Sequence, residues 1–346
     1  MQMIGFAIAT VLPVGLIGMA IWLGGVWSVL ALLYITLFAA ALDRFVPRLL
    51  PEVPEGAEFP SGKGLSVALG VLHFALLVGV VSGTVLATPG ALDKILALIA
   101  AGLWLGQVSH PNAHELIHRS GRWPRFLGRA IYASLLFGHH ASAHLLVHHV
   151  HVGTSRDPNS APHGMGFYRF FPTVWTHSFR AGLTAENALR ARSSRTLSGV
   201  SHPYVGYGVI AIAAIGTIYF ALGIKGVTAY LFLCFYAQVQ ILLADYVQHY
   251  GLRRALRDTG KPEPVSDAHS WNSPHWFSSA LMVNAPRHSD HHLHPTRPYP
   301  GLRLRDAMPI LPHSLPVMAV IALVPPLWRS VMARELARLP RSGNSA

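Results

Sequence analysis

Histidine is the residue in excess here, 21 in a chain with a single cysteine. Most of it falls in clusters. His114-Glu115-Leu116-Ile117-His118 places two imidazoles at i, i+4, on one helix face. His144-Leu145-Leu146-Val147-His148-His149 repeats that spacing and adds an adjacent ring, with His139, His140 and His151 close by. Arg287-His288-Ser289-Asp290-His291-His292 puts two rings at i+3 and i+4 from the first. His249 stands alone in Gln248-His249-Tyr250-Gly251. Clustered imidazoles are costly to bury without a proton partner or a metal. Imidazole suits zinc, copper, iron or nickel. The first cluster by itself is the H-E-x-x-H pattern of zinc proteases. Together the clusters offer His114, His118, His144, His148, His149, His249, His288, His291 and His292. One ion cannot use nine nitrogens; two ions with four or five each can.

The elements that must carry these rings are membrane spans. The chain is 51% hydrophobic and only 12% charged, against about a quarter in soluble domains. An all-α integral membrane protein of one domain, residues 1–346, is expected. Apolar runs predict six transmembrane helices over residues 4–23, 26–42, 64–87, 91–108, 204–222 and 227–244. Residues 109–203 and 245–346 then form a histidine-rich catalytic cap. A proline-bearing apolar run, Leu315 to Leu327, reads as an interfacial or re-entrant piece, and Leu127 to Phe137 as interfacial. The N-terminus lacks a basic region and a small-residue cleavage site, so it reads as the start of a first span and not as a signal peptide.

If six spans alternate, all but two of the 27 Lys and Arg lie on the side of the cap, with Lys94 and Lys225 opposite. That side is the cytoplasm, with both termini inside. The basic residues are spread between apolar runs, not gathered into a patch, which argues against nucleic acid. Arg119, Arg122, Arg125, Arg129, Arg253, Arg254 and Arg257 offer contacts to lipid headgroups or to an acidic electron-transfer protein. The lone Cys234 excludes a disulfide framework, a cysteine zinc site and a fused rubredoxin module.

The four histidine motifs, with Arg156-Asp157-Pro158, His269-Ser270-Trp271-Asn272-Ser273 and Leu293-His294-Pro295-Thr296-Arg297-Pro298-Tyr299-Pro300-Gly301, resemble the integral-membrane alkane monooxygenases. These belong to the wider group of membrane histidine-box desaturases and hydroxylases. The resemblance implies a non-haem di-iron centre on the nine histidines and O2 as oxidant. It implies terminal hydroxylation of medium- to long-chain alkanes drawn from the bilayer, with electrons from rubredoxin and its reductase. The location implied is a bacterial inner membrane with the iron site cytoplasmic. Related alternatives are a fatty-acyl desaturase, a xylene-type methyl hydroxylase and, on the first cluster alone, an intramembrane zinc protease. The family carries Glu where this chain has Ala143 and Gln248, and Leu-Gln where it has Ala285-Pro286. Glu115, Asp157 and Asp290 are candidates to accept the second ring N–H of a ligand histidine, Asp290 foremost, since three proposed ligands enclose it. Glu115 and Asp290 are therefore the expected catalytic carboxylates.

Overall fold

The computed structural model describes residues 2–46, 59–193 and 198–339. It is helical, and among the described residues only two isolated bridges, Leu256–Pro262 and Asn272–Ile310, are of β type. Five helices are long and apolar enough to cross a membrane. They are α1 (Met3–Leu23), α2 (Val26–Phe45), α3 (Gly62–Leu86), α4 (Ala91–Ile117) and the later α8 (Pro203–His249). Between α4 and α8 lie α5 (Arg122–Ser134), α6 (residues 139–151) and α7 (Phe167–Ala191). After α8 come α9 (Trp276–Leu281), α10 (His288–Leu293), α11 (Leu315–Ala322) and α12 (Pro325–Arg338).

The expected bounds shift in ways that have causes. Residues 47–58 of the loop expected after the second span lie outside the described residues. The fourth span does not stop at Val108. Its helix absorbs an extra residue in a π-helical turn, Leu105–Ser109, and runs on to Ile117, carrying His114 out on the same rod. The fifth and sixth runs are two helices, and the short turn expected between them is tightened to a single residue. Together they make up the 47-residue α8, interrupted at Gly223, where φ is 64° and ψ is −165°. At that residue the chain reverses. A Cβ on Gly226 would lie 3.2 Å from Ile218 Cγ2, eight residues back and about 12 Å away in a straight helix. Both ends of α8 accordingly reach the histidine end. Tyr207 hydrogen-bonds Ser142 at 3.0 Å, and His249 meets His288 at 3.0 Å. The apolar run expected over residues 315–327 is split into α11 and α12, with Pro325 opening α12, where a missing N–H costs nothing.

Two glycines close the α1–α2 turn at positive φ, and the Gly25 N–H donates to Asp93 Oδ1 at 2.9 Å, fastening the turn to the start of α4. Deeper, Trp104 Nε1 donates to the Thr10 carbonyl at 2.8 Å. His73, within α3, is wholly buried and bridges Ser109 of α4 and Ser134 of α5 at 2.7 and 2.8 Å. Two apolar cores result. One fills the spans, from Phe6 and Ile17 to Leu105 and Leu233. The other lies under the cap, around Tyr132, Phe170, Tyr246, Tyr250 and Trp328.

Glycines at 102 and 106 let α4 and α8 approach closely, since a Cβ at either would overlap Tyr236 or Gln240. Gly106→Val is expected to cost about 1–3 kcal/mol by overpacking. It also displaces the last turns of α4. A detergent-solubilised variant should unfold at a lower temperature; an unchanged midpoint would show that the helices can separate freely.

Candidate metal centre

Four elements bring the nine histidines to one end of the bundle, in two groups. His114, His118, His144, His149 and His291 form the first, and His148, His249, His288 and His292 the second. Within each group one ring nitrogen per residue lies within 4.8 Å of all the others. In the first, His144 Nε2 stands 2.7 Å from His114 Nε2 and 2.9 Å from His149 Nε2, and His291 Nε2 is 3.1 Å from His149 Nε2. In the second, His288 Nε2 is 3.0 Å from His249 Nε2 and 3.1 Å from His292 Nε2.

Helical phase explains the partition. His114 and His118 lie one ordinary turn apart and share the first group. The second cluster is different, because residues His144–His148 form a π-turn. A π-turn aligns residue i with i+5. His144 therefore faces His149, and His148 is turned into the other group, against the i, i+4 pairing that its spacing suggests. In α10 the ordinary phase returns. His288 and His292 share the second group, and His291, a quarter-turn away, enters the first.

The donors fit a pair of cations. Burial, reinforced by neighbouring imidazoles, pushes His144, His149, His288, His291 and His292 well below the usual histidine range. Burial, with His148 nearby, brings His118 down to about 4. Neutral rings keep a lone pair for a metal. His144 Nε2 faces two other Nε2 atoms, a convergence that hydrogen bonds cannot satisfy for every ring and that a cation can. Ligand nitrogens about 2.1 Å from one ion and at right angles to each other are about 3 Å apart, close to the separations observed. His118 Nε2 and His148 Nε2 are buried with no hydrogen-bond partner.

Among the candidate carboxylates, Asp157 holds the ring of a candidate ligand. Its Oδ2 accepts from His148 Nδ1 at 2.9 Å and from Ser160 Oγ at 2.6 Å, and its Oδ1 accepts from the Asn159 N–H. Burial opposes charge on both partners, but the pair overrides it: His148 is raised and Asp157 lowered from their ordinary values. Glu115 and Asp290 have other partners. Glu115 accepts from Arg119 and from the Tyr299 N–H at 3.1 Å. Asp290, fully buried, accepts from Arg297 at 2.6 Å, Arg305 at 3.0 Å and the Arg303 N–H at 2.9 Å. The expected role of Asp290 as the foremost ring acceptor is thus filled by Asp157. His294 is 3.9 Å from Asp290 and belongs to neither group.

One small cavity is lined by the rings, and a larger one by the spans. A chamber of about 20 Å³ is bounded by His110, His114, His140, His144, Asp245, Gln248 and His288. That is room for about one water-sized group. His110 and Asp245 were not singled out from sequence, and His140 was noted only as a neighbour of the second cluster. Their signal was position, one helical turn before His114, His144 and His249 respectively. Toward the spans lies an apolar cavity of about 430 Å³, walled by α2, α4, α8 and α11. Its side chains include Ile35, Leu103, Tyr236 and Leu243. Gln107, Ala244 and Met282 at its rim stand within a turn of the chamber residues His110, Asp245 and Ala285. On α2, Ile35 lines this cavity, and Tyr34 and Phe38 pack on Phe277.

The fatty acid desaturase family model matches residues 89–321, the stretch that holds all nine histidines. Alkane 1-monooxygenase 1 of Pseudomonas aeruginosa is 31% identical over 276 residues, 78% of this chain and 72% of the relative. Alkane 1-monooxygenase 2 of the same organism is 31% identical over 299 residues, 84% and 79%. Alkane 1-monooxygenase 2 of Alcanivorax borkumensis is 32% identical over 243 residues, 70% of this chain but only 64% of the relative's length. On this matched span and at these identities, the chain belongs to the alkane 1-monooxygenase family, within the histidine-box membrane oxidoreductases that the fatty acid desaturase model describes.

Proposed function

We propose that the protein hydroxylates alkanes at the terminal carbon, with two irons on the nine histidines, O2 as oxidant and rubredoxin with its reductase as electron source. The balanced reaction is alkane + O2 + two electrons + two protons → 1-alkanol + water. The observation that carries the reading is the partition of nine imidazoles into groups of five and four, in a bundle that also holds an apolar cavity. An unactivated C–H bond offers neither an acidic proton nor a polar handle, so acid–base and nucleophilic catalysis have no purchase on it. A pair of irons, when bound, supplies the redox chemistry that such a bond requires.

The chain's own residues bind, orient and exclude water. The cavity walls of α2, α4, α8 and α11 take up an alkyl chain, and its volume lies in the usual range for small-molecule sites, about 300–1,000 Å³. Asp157 fixes the ring of His148 with Nε2 toward the metal. The relatives' names supply alkane as the substrate class. The reversal at Gly223 supports six crossings, with the metal end in the cytoplasm of a bacterial inner membrane. The zinc-protease reading loses support, because Glu115 is engaged by Arg119 and the Tyr299 N–H.

Membranes holding the protein, given alkanes of graded length, O2 and a rubredoxin system, should form 1-alkanols. No terminal alcohol from any length would overturn the assignment. Leu103→Trp narrows the cavity, and it should shorten the longest alkane accepted. An unchanged length profile would remove this cavity from the substrate's path.

A further inference from the structure

Helix α5 has a face that the metal centre does not use. Its inner side is committed. A Cβ on Gly128 would lie 2.8 Å from the Ala113 carbonyl oxygen of α4. The Tyr132 hydroxyl is 3.0 Å from His110 Nδ1, and Ile131 is fully buried. Leu127 presses on α3 so closely that a Cβ on Gly70 would fall 2.6 Å from its Cδ2. Gly70 is inside the apolar span Gly62–Leu86, about 12 Å along it. The helix therefore lies against a membrane-crossing element, about a third of the way along it.

The outer side is graded. At about 100° per residue, Arg122, Arg125 and Arg129 fall in one stripe about 60° wide. Trp123 and Phe126 occupy the adjacent stripe, and Leu127 lies beyond them, against α3. All five outer side chains are exposed, Trp123 at 80% and Phe126 at 60%. No Asp or Glu occurs from residue 119 to residue 134, and none of the three arginines forms an ion pair among the described residues. From the span outward, the order is aliphatic, aromatic, cationic. Aromatic side chains favour the boundary between acyl chains and headgroups, and arginines just beyond them reach phosphate.

We infer that this face of α5 docks on the bilayer surface and binds anionic lipid headgroups, anchoring the helix that follows His118. A soluble acidic partner would account for the arginines. It would not account for two exposed aromatic rings set between them and a membrane-spanning helix. The inference rests on the multi-pass membrane reading and not on alkane turnover, so it stands or falls independently of the hydroxylation assay.

The test places a bimane on Trp123→Cys in the full-length protein, where the chain's own thiol, Cys234, is buried. The labelled protein is reconstituted in nanodiscs of phosphatidylcholine, with or without phosphatidylglycerol, and quenched by nitroxide lipids or by aqueous iodide. Lipid quenching should exceed iodide quenching and should rise about twofold when anionic lipid is included. Arg122→Gln/Arg125→Gln/Arg129→Gln should abolish the dependence on lipid charge and leave metal content unchanged. Should that triple variant fail to fold, the two lipid compositions decide the matter in the protein with its arginines intact. Iodide quenching without lipid quenching, indifference to lipid charge, or protection of the label only on addition of an acidic electron-transfer protein would each overturn the inference.

Discussion

The double variant His288→Ala/His292→Ala is expected to lose half of its bound metal and all alkane hydroxylation. Those residues sit one helical turn apart and belong to the group of four, so only His148 and His249 would remain there. Two imidazoles are too few to hold a divalent cation against water, since stable sites use three or four protein ligands. The group of five is untouched and keeps its ion. A sharper comparison uses the second cluster. His148→Ala/His249→Ala joins residues far apart in sequence, and it should also cost half the metal, because both serve one group. His148→Ala/His149→Ala removes neighbours, leaves three and four rings in the two groups, and should weaken both ions without emptying either. Metal analysis of the purified variants, before and after dialysis against a chelator, reads these outcomes. A neighbour pair that empties one group completely, with the distant pair sparing it, would show that the π-turn partition is wrong.

Asp290→Ala is expected to destabilise the cap before it touches the chemistry. The carboxylate is fully buried and accepts from two guanidinium groups and one backbone N–H. Removing one partner of a buried charged pair costs about 3–5 kcal/mol. Arg297 and Arg305 are part exposed, which screens them in the variant, so about 2 kcal/mol is the expected loss. Thermal unfolding in detergent should show a clearly lower midpoint, and Asp290→Asn should recover part of it by keeping a hydrogen-bond acceptor. Asp157→Asn should behave in the opposite way. It should leave the midpoint nearly in place but lower metal affinity about 10–100-fold, because a neutral amide orients and polarises the His148 ring less than the carboxylate does. An Asp290→Ala protein of unchanged midpoint and abolished turnover would return that residue to the reacting centre.

The contrast between these two carboxylates marks where sequence reasoning stops. Asp290 lies among three ring-bearing residues in the chain, yet in a single helical turn its side chain leaves on a different face from theirs. Asp157 is eight residues past His149 and reaches His148 only because the loop after α6 folds back. Sequence distance favours the first, and geometry selects the second. The nine histidines were legible because each cluster follows an apolar run or repeats a helical spacing. Their division into two groups was not, since a π-turn leaves no mark in residue type. Hydropathy marked the apolar runs that form the long helices. The continuation of α4 past Val108 and the sharp reversal at Gly223 depend on backbone angles that composition does not encode.

The division has a consequence for how the centre keeps its dimensions. His148 and His149 serve different groups, and so do His291 and His292. In each pair a single peptide bond separates the two ligands, with their Cα atoms about 3.8 Å apart. Two dipeptides thus link the two candidate metal positions through the backbone. Breathing of the helices, lipid pressure or a substitution in a distant span can move the centre as a body. It changes the interval within it less readily, because the backbone joins the two groups at both pairs.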